Sequence, residues 1–146
     1  LGTMGFALPA AIGAKIGASH REVVAVIGDG GYQMTIQELG TIFQTKTAVK
    51  IVVLNNDYLG MVRQWQQLFF DKRYASTEMV NPDFVKIAEG YSIKALRVTD
   101  RRDLDNAVKL LIESKDAFFL EVCVEKEDNV FPMIPTGASV SDIRLK

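Results

Sequence analysis

The sequence predicts an α/β fold: a doubly wound, mainly parallel sheet with helices on both faces. Runs of β-branched and other apolar residues recur at residues 23–27, 51–54, 93–98 and 118–124, and such runs are typical of strands in a buried parallel sheet. Between them lie segments whose apolar residues repeat at helical spacing, as in residues 104–112. Alternating strands and amphipathic helices build crossover units, so we expect neighbouring strands to run mainly in one direction.

Five helices are predicted from their start and stop signals. They cover residues 4–16, from Thr35 to about residue 44, residues 60–70, from Asn81 to Gly90, and a segment capped by Asp100. Pro9 implies a kink in the first helix, and Thr35 with Glu38 fits a capping box. Asn81 is expected to cap its helix, with Pro82 at the first helical position.

Length and composition are those of one globular domain. The chain has 146 residues, 48% of them apolar and 24% charged. A net charge of −1 gives no reason to expect a nucleic acid or an anionic membrane surface as a partner, and no apolar run approaches the ~18 residues of a membrane span. We expect residues 1–124 to form the folded domain, and residues 125–146 to form a C-terminal arm of the same domain.

The single cysteine and the single histidine exclude several kinds of site. One cysteine cannot form an internal disulfide or a multi-cysteine zinc site. Cys123 lies in a predicted buried strand, where a packed thiol is expected. His20 lies in a predicted turn and is expected to face solvent, so catalysis based on histidine is not expected.

Two of the predicted strands end in polar loops. Residues 28–31 (Gly-Asp-Gly-Gly) follow the first strand as a predicted loop, and residues 55–56 (Asn-Asn) follow the second. Ligands of open parallel sheets bind beyond the carboxyl ends of the strands, so Asp29 and Asn56 are expected to lie close together. Glycine backbones approach phosphate oxygens closely, and a carboxylate with an amide oxygen suits Mg2+. The two loops therefore predict a magnesium–diphosphate site.

Each of the two motifs has an ordinary structural interpretation when it stands alone. Gly-Asp-Gly is a common turn, and Asn-Asn after a strand is a common helix cap. Their combination, with 27 positions between Asp29 and Asn56, matches the thiamine-diphosphate signature. The chain lacks the Gly-x-Gly-x-x-Gly of a dinucleotide site after its first strand and the Gly-Lys-Ser/Thr of a P-loop.

The resemblance extends from the cofactor class to one enzyme family. Residues 28–40 and 54–69, the opening segment 2–15 and the tail segment 129–139 resemble acetolactate synthase, also called acetohydroxyacid synthase. The similarity covers essentially the whole chain. It implies the thiamine-diphosphate-binding fold, with thiamine diphosphate and Mg2+ as cofactors, whereas FAD is expected only in the full-length enzyme.

The resemblance also implies roles for individual residues. Mg2+ would be bound by the side chains of Asp29 and Asn56 and by the main-chain oxygen of Tyr58. The other implied cofactor contacts are Gly2, Met4, Gly28, Gly30, Gly31, Met34, Leu59, Gly60 and Met61. Met4 would be the wedge that bends the cofactor, although these methionines also fit ordinary core packing.

Trp65 is the residue implied on the substrate side. It lies four positions after Met61, so the two share one helix face, and both are expected to contact substrate. The matching tryptophan of the family helps to select the second keto acid, although Trp65 judged alone fits a core tryptophan. Arg63 and Gln64 are expected at the surface or at an interface.

The implied reaction joins two 2-keto acids. Pyruvate is decarboxylated on the cofactor, and the hydroxyethyl group adds to pyruvate or 2-ketobutyrate, a step of branched-chain amino-acid biosynthesis. No catalytic residue is assigned in this chain, because the family takes a glutamate from the N-terminal domain of a neighbouring subunit. A homodimer or homotetramer with a separate regulatory subunit is expected for the full-length enzyme. This chain alone is expected to have little or no synthase activity.

Two other interpretations remain open. One is a different thiamine enzyme, such as a glyoxylate carboligase or a pyruvate oxidase, against which the run of residues 60–65 argues. The other is a non-catalytic binding or assembly module, against which intact Asp29 and Asn56 argue. Because the chain begins at Leu1 without an initiator methionine, we expect a piece of a longer polypeptide. A bacterial cytoplasmic location is the first expectation, with an organellar one left open.

Overall fold

Six α-helices and four strands build residues 2–145, the part of the chain that this computed structural model describes. The strands are β1 Val24–Gly28, β2 Lys50–Asn55, β3 Lys94–Val98 and β4 Phe118–Cys123. The helices are α1 Ala7–Gly17, α2 Asp29–Gln33, α3 Leu39–Thr45, α4 Gly60–Phe69, α5 Phe84–Gly90 and α6 Leu104–Glu113. Short 3-10 turns cover Ile36–Glu38, Arg101–Asp103 and Val140–Asp142.

The strands form one sheet in the order β1-β2-β4-β3. Val24 of β1 lies opposite Lys50 of β2, which in turn lies opposite Phe118 of β4. On the other side of β4, Lys94 of β3 lies opposite the same Phe118. All three pairings are parallel, so the predicted α/β fold with a parallel sheet is confirmed.

Apolar side chains from helices cover both faces of the sheet. One face packs against α1, α3 and α5 around Ile51, Val53 and Phe119, which are fully buried. The other face packs against α6, where Leu111 meets Leu120 of β4 within one buried cluster. Helices on both sides agree with the predicted doubly wound arrangement.

The edge strand β1 is covered on one face only, whereas its apolar run predicted burial on both. Ala25 and Ile27 are buried, but Val24 is 43% exposed and Val26 is 61% exposed. β1 lies at the edge of the described sheet, and α6 packs against β3 and β4 instead. A run of β-branched residues reports strand propensity, but it does not report which face receives a helix.

The glycine-rich segment after β1 is helical rather than a loop. α2 begins at Asp29, directly after the extended Gly28, and neither Gly30 nor Gly31 has a positive φ. A turn does not explain these two glycines. Instead, a missing Cβ lets the backbone come close to other atoms.

Two expected features of the helix starts, the capping box at Thr35 and the kink at Pro9, are absent from residues 2–145. Thr35 and Glu38 form no capping box, because the Thr35 hydroxyl donates to the Gly5 carbonyl at 3.0 Å and the Glu38 carboxylate accepts from Thr41 at 2.8 Å. Pro9 does not interrupt α1, because the helix begins only two residues earlier. In the first turn of a helix, proline removes no intrahelical N–H bond.

Helix α5 begins later than the Asn-Pro-Asp motif predicts. Its first residue is Phe84, and its cap is Asp83, whose side chain accepts a hydrogen bond from the Lys86 N–H at 3.4 Å. Asn81 and Pro82 therefore precede the cap. The Asn81 side chain bonds instead to groups at the carboxyl edge of the sheet.

The C-terminal arm packs against α4. Gln64 of α4 donates to the Val130 carbonyl at 3.0 Å and accepts from the Val130 N–H at 2.7 Å. Met133 and Arg144 pair as an isolated antiparallel bridge, which folds the arm back on itself. The Arg144 guanidinium also lies 4.9 Å from the centre of the ring of Phe69, the last residue of α4.

Cys123 is exposed, although its apolar neighbours predicted a packed thiol. It is the last residue of β4, where it lies opposite Asn55 in the polar end of β2. His20 faces solvent as expected. Among residues 2–145, no helix combines the length and apolar character that crossing a membrane requires.

Candidate cofactor-binding site

The loops that follow β1 and β2 meet at the carboxyl edge of the sheet. Gly28 at the end of β1 lies opposite Leu54 near the end of β2. A single nitrogen shows how close the two loops come: Asn81 Nδ2 lies 2.7 Å from Asp29 Oδ2 and 2.9 Å from Asn55 Oδ1. The structure therefore brings together the two motifs that the sequence singled out.

Asp29 is a buried carboxylate with both oxygens hydrogen-bonded. The residue is 1% exposed; its Oδ1 accepts from the Gly30 N–H at 2.9 Å, and its Oδ2 accepts from Asn81 at 2.7 Å. Burial raises the pKa of Asp29 above its ordinary value, and the hydrogen bonds from Asn81 and Gly30 oppose that rise. A bound cation would stabilise such a carboxylate, because its charge replaces the lost hydration.

Two side-chain turns shape the loop after β2. Asn55 Oδ1 accepts from the Asp57 N–H at 3.1 Å, and Asn56 Oδ1 accepts from the Tyr58 N–H at 3.2 Å. Asp57 has a φ of 55°, a left-handed conformation that aspartate tolerates better than most residues. This turn keeps the Asn56 amide oxygen beside the main chain of Tyr58, the two groups expected to share Mg2+ with Asp29.

A segment that sequence reasoning missed fastens the loop after β2. The Met79 N–H donates to the Asp57 carbonyl at 2.8 Å, and the Leu59 N–H donates to the Thr77 carbonyl at 2.8 Å. An isolated antiparallel bridge lies between these two bonds. Residues 77–79 carry no periodic pattern, so the sequence alone does not predict that they pair with the loop after β2.

Gly30 lies in a crowded cleft. A Cβ atom added there would lie 2.6 Å from Leu59 Cδ2, 3.3 Å from Met79 Sδ and 3.5 Å from Met4 Cε. By contrast, a Cβ added at Gly28 would meet no atom within 4 Å. The cleft brings the predicted residues Met4, Gly30 and Leu59 together, and it adds Met79, which the sequence did not single out.

Most of the other predicted cofactor residues are exposed, and Gly31 is half-buried. Met4 is 45% exposed, Met34 53% and Met61 51%, so none of the three is core filler. Gly2 is exposed and has a positive φ of 58°. Gly60 opens α4, where an added Cβ would lie 3.1 Å from an asparagine side chain of the preceding loop. Their contacts to a cofactor stay predictions.

Trp65 lines a mostly apolar cavity of about 540 Å3. The other lining residues are Val62, Gln66, Phe70 and Arg73. The Trp65 ring packs on Phe69 with centroids 4.7 Å apart, and the residue is half-buried, which does not fit an ordinary core tryptophan. Met61, four positions earlier, is not part of the cavity wall. A substrate role for either residue stays a prediction.

Arg63 and Gln64 are buried, although the sequence placed them at the surface or at an interface. Arg63 is 7% exposed, and its guanidinium lies 5.2 Å from the centre of the Tyr58 ring and 4.9 Å from that of Tyr74. Gln64 is 1% exposed and bonds the main chain of Val130. Both side chains are covered by segments outside α4, so the pattern of the helix alone could not predict their burial.

The donors at the carboxyl edge fit a magnesium ion that also binds phosphate. They comprise the Asp29 carboxylate and the Asn56 amide oxygen, which accepts from the Tyr58 N–H. The Tyr58 main-chain oxygen stays a predicted ligand. Mg2+ commonly takes one or two carboxylates, with phosphates and water completing its coordination. Within residues 2–145 no three His, Cys, Asp or Glu side chains group into a metal site. At Gly30 the close approach is made by the Leu59 side chain, and a diphosphate contact there stays a prediction.

Comparisons with known proteins agree with this chemistry. Residues 1–122 match the family model described as thiamine pyrophosphate enzyme, C-terminal TPP binding domain. The chain is 43% identical to the acetolactate synthase isozyme 2 large subunit of Escherichia coli (strain K12), over 100% of this chain and 27% of that protein. It is 46% identical to the mitochondrial acetolactate synthase of Schizosaccharomyces pombe, over 99% of this chain and 22% of that protein. The chain thus spans about a quarter of the length of these relatives.

A solved structure shares the fold. The thiamine diphosphate-dependent 4-hydroxybenzoylformate decarboxylase of Rhodococcus jostii RHA1 matches with a TM-score of 0.79 and 30% identity, over 86% of this chain and 24% of that one. The expected resemblance to acetolactate synthases is confirmed by the sequence matches across the whole chain. The chain belongs to the thiamine pyrophosphate enzymes, as a member of their C-terminal TPP-binding domain family.

Proposed function

We propose that this chain is the cofactor-binding C-terminal domain of an acetolactate synthase catalytic subunit, and that it holds thiamine diphosphate and Mg2+ at the carboxyl edge of its sheet. The observation that carries the proposal is the meeting of Asp29 with the Asn56–Tyr58 loop beside the Gly30 cleft. The 43% identity to the Escherichia coli large subunit over the whole chain supports the same function.

The chain's own residues would act by position and charge. Asp29, Asn56 and the main-chain oxygen of Tyr58 would hold Mg2+, whose charge offsets that of the diphosphate. Gly30 would present its main chain to the diphosphate. Met4 lies near Gly30, where it would support the rest of the cofactor. Thiamine diphosphate, when bound, supplies the electron sink for decarboxylation of a 2-keto acid.

The acceptor side of the reaction is proposed to lie along α4. Met61 and Trp65 share one face of this helix, and Trp65 lines the apolar cavity of about 540 Å3. Pyruvate and 2-ketobutyrate differ by one methylene, a difference that an apolar pocket discriminates by about 1–3 kcal/mol. Trp65 would therefore set the preference for the second keto acid.

Synthase activity is proposed to need parts beyond this chain, which spans 27% of the Escherichia coli relative. The glutamate that acts on the cofactor ring, the flavin site and the contacts of a dimer or tetramer are assigned to the longer protein, and regulation to a separate subunit. Glu121 does not supply that glutamate, because its carboxylate already accepts from Asn55 at 2.8 Å and from Arg97 at 2.6 Å. The proposed location is the bacterial cytoplasm, with the mitochondria of some relatives as the alternative.

Calorimetry with the purified chain tests cofactor binding. Titration with thiamine diphosphate is expected to give a binding heat with Mg2+ present and none with EDTA. Asp29→Ala is expected to abolish that heat, because it deletes the buried carboxylate. Asp105→Ala, which changes an exposed aspartate of α6, is the matched control and is expected to bind normally. No heat from the unchanged chain would favour a non-catalytic module.

A turnover assay separates cofactor binding from catalysis. The chain alone is expected to convert no pyruvate to acetolactate, because no glutamate in it is assigned to the cofactor ring. Turnover above the level of Asp29→Ala would contradict that part of the proposal. Binding of cofactor without turnover is the expected combination.

A further inference from the structure

We propose that Asn81 is a positioning residue for the magnesium-binding edge: its side-chain amide orients the Asp29 carboxylate and ties it to the loop after β2. The inference rests on the cofactor function proposed above and adds to it a residue outside both sequence motifs. Asn81 lies 52 positions from Asp29 and 26 from Asn55 along the chain. Only the fold brings these residues together.

A single nitrogen of Asn81 contacts three oxygens. Asn81 Nδ2 lies 2.7 Å from Asp29 Oδ2, 2.9 Å from Asn55 Oδ1 and 3.1 Å from Asp57 Oδ1. Ionised carboxylates only accept hydrogen bonds, so the –NH2 group and not the amide oxygen must face them. Gln33 Nε2 then donates to Asn81 Oδ1 at 2.7 Å, and both ends of the amide are used.

The carboxyl edge has more acceptors than Asn81 can serve. An –NH2 group carries two protons, so three oxygens cannot each receive a full hydrogen bond from it at the same time. Two of the three belong to the carboxylates of Asp29 and Asp57, which repel each other across the amide. A divalent cation beside Asp29 would offset both the missing hydrogen bond and the repulsion between the two carboxylates. Asn81 would keep the Asp29 carboxylate from rotating.

The local sequence predicts that Asn81 caps a helix, whereas in the structure its side chain bonds Asp29. Asn-Pro-Asp favours Asn81 as a helix cap, yet Asp83 caps α5. Pro82 disfavours a helical backbone at the residue before it, which holds Asn81 outside the helix. The Asn81 side chain therefore serves the sheet edge and not the helix that follows it.

The expected size of the effect comes from groups that orient metal ligands. Losing a hydrogen-bonding partner of a ligating carboxylate typically lowers metal affinity by about 10–100-fold. Asn81→Ala removes both donor protons and leaves the Asp29 carboxylate with main-chain hydrogen bonds from Gly30 and Asp57. The dissociation constant for Mg2+ should therefore rise by about tenfold or more.

The first test titrates Mg2+ into the full chain by calorimetry at a fixed concentration of thiamine diphosphate. Asn81→Ala is compared with Asn106→Ala, which changes an exposed asparagine of α6. The inference expects a rise of about tenfold or more in the dissociation constant for Asn81→Ala and none for Asn106→Ala. Equal constants for Asn81→Ala and the unchanged chain would overturn it and leave the proposed function standing.

Hydrogen exchange of the metal-free chain gives a second readout that needs no cofactor. Asn81→Ala is expected to speed exchange in residues 28–34 and 55–60, and to leave the central strand β4 unchanged. If the unchanged chain binds no cofactor, the proposed function fails and exchange alone decides the positioning role. Unaltered exchange at both loops overturns that role, and so does a uniform rise over the sheet, which would show general destabilisation.

Discussion

Both edges of the sheet bury charged side chains: lysines at the amino edge, and mainly acids toward the carboxyl edge, where Arg63 is also buried. At the amino edge Lys50 is fully buried and Lys15 is 8% exposed. Toward the carboxyl edge Asp29 and Glu121 are each 1% exposed. Burial of an unpaired charge is strongly unfavourable, so the partners of each group show what the edge is built to do.

At the amino edge the lysines bond to main-chain carbonyls. Lys50 Nζ lies 2.6 Å from each of the carbonyl oxygens of Ser114 and Asp116. Lys15 Nζ donates to the carbonyl of Arg21 at 2.6 Å. Helices that follow parallel strands run back across the sheet, so their C-terminal carbonyls gather at this edge and favour cations. The backbone fixes these acceptors, and the lysines serve the fold.

At the carboxyl edge the acids bond mainly to side chains. Asp29 accepts from Asn81, and Glu121 accepts from Asn55 at 2.8 Å and from Arg97 at 2.6 Å. Asp29 also accepts from the main-chain N–H of Gly30. The buried lysines and Glu121 therefore support stability, whereas Asp29 is the buried charge that we propose binds a cation.

The largest expected change comes from Glu121→Ala. It removes the hydrogen bonds that the buried Glu121 accepts from Asn55 and Arg97, and should lower the free energy of unfolding by about 3 kcal/mol, although Arg97 keeps its pair with Asp83. Urea unfolding followed by circular dichroism measures the change. Glu113→Ala breaks an exposed pair with Lys109 and should change stability by less than about 0.5 kcal/mol. Equal effects of the two substitutions would remove the distinction between buried and exposed acids.

Lys50→Met breaks the comparison from the other edge. It removes the hydrogen bonds from Lys50 to the carbonyls of Ser114 and Asp116, although Asp116 keeps one from the Ser114 hydroxyl, and the free energy of unfolding should fall by about 2 kcal/mol. Cofactor affinity should not change, because Lys50 lies at the edge opposite Asp29. The exposed Lys115→Met is the control. A loss of cofactor binding in Lys50→Met would show that the two edges are not independent.

The effect of Lys50 should also depend on pH. Burial lowers the pKa of Lys50 below its ordinary value of 10.5. Between the lowered pKa and 10.5 the unfolded chain therefore binds more protons at this residue than the folded chain does. The free energy of unfolding then rises with pH through that window. The difference in this free energy between the unchanged chain and Lys50→Met should therefore widen as pH increases toward 10.5. Urea unfolding of both proteins over a pH series tests the sign, and a gap that narrows would contradict it.

Gly30→Ala sharpens the account of the binding edge with a smaller change. The added Cβ would lie 2.6 Å from Leu59 Cδ2, so the Leu59 side chain must move within the cleft. Affinity for thiamine diphosphate in Mg2+ should fall about tenfold, or about 1.4 kcal/mol. In Gly13→Ala the added Cβ meets no atom within 4 Å, and binding should be unchanged. Calorimetry on both variants compares them, and normal binding by Gly30→Ala argues against the cleft as the diphosphate position.

Tyr32→Phe is expected to have the smallest effect, and in the stabilising direction. Tyr32 is fully buried against Phe84 and Phe119, and its hydroxyl has no hydrogen-bond partner. Removing that hydroxyl should raise the free energy of unfolding by about 1 kcal/mol. Thermal unfolding measures the change, with the half-buried Tyr91→Phe as control. A loss of stability would indicate that the hydroxyl has a partner in solution.

The local sequence pattern predicted the strands and one helix cap, but it did not predict the buried charges. The apolar runs predicted the four strands to within a residue or two, and Asp100 caps the turn that leads into α6 as expected. The burial of Lys50 and Glu121 was not predicted, because each is a single charged residue beside a run of apolar ones. Their burial depends on carbonyls and side chains from distant segments, which no local window contains.

The parallel sheet could be predicted from the order of its strands and helices, and so could the position of Asp29 and the asparagine pair after β2 at one edge. The partners of Asn81 could not be predicted in this way. Its local sequence fits a helix cap, and the alternative partners lie 26 and 52 positions away. The choice between capping a helix and bonding Asp29 depends on contacts across the sheet, and these exist only once the chain has folded.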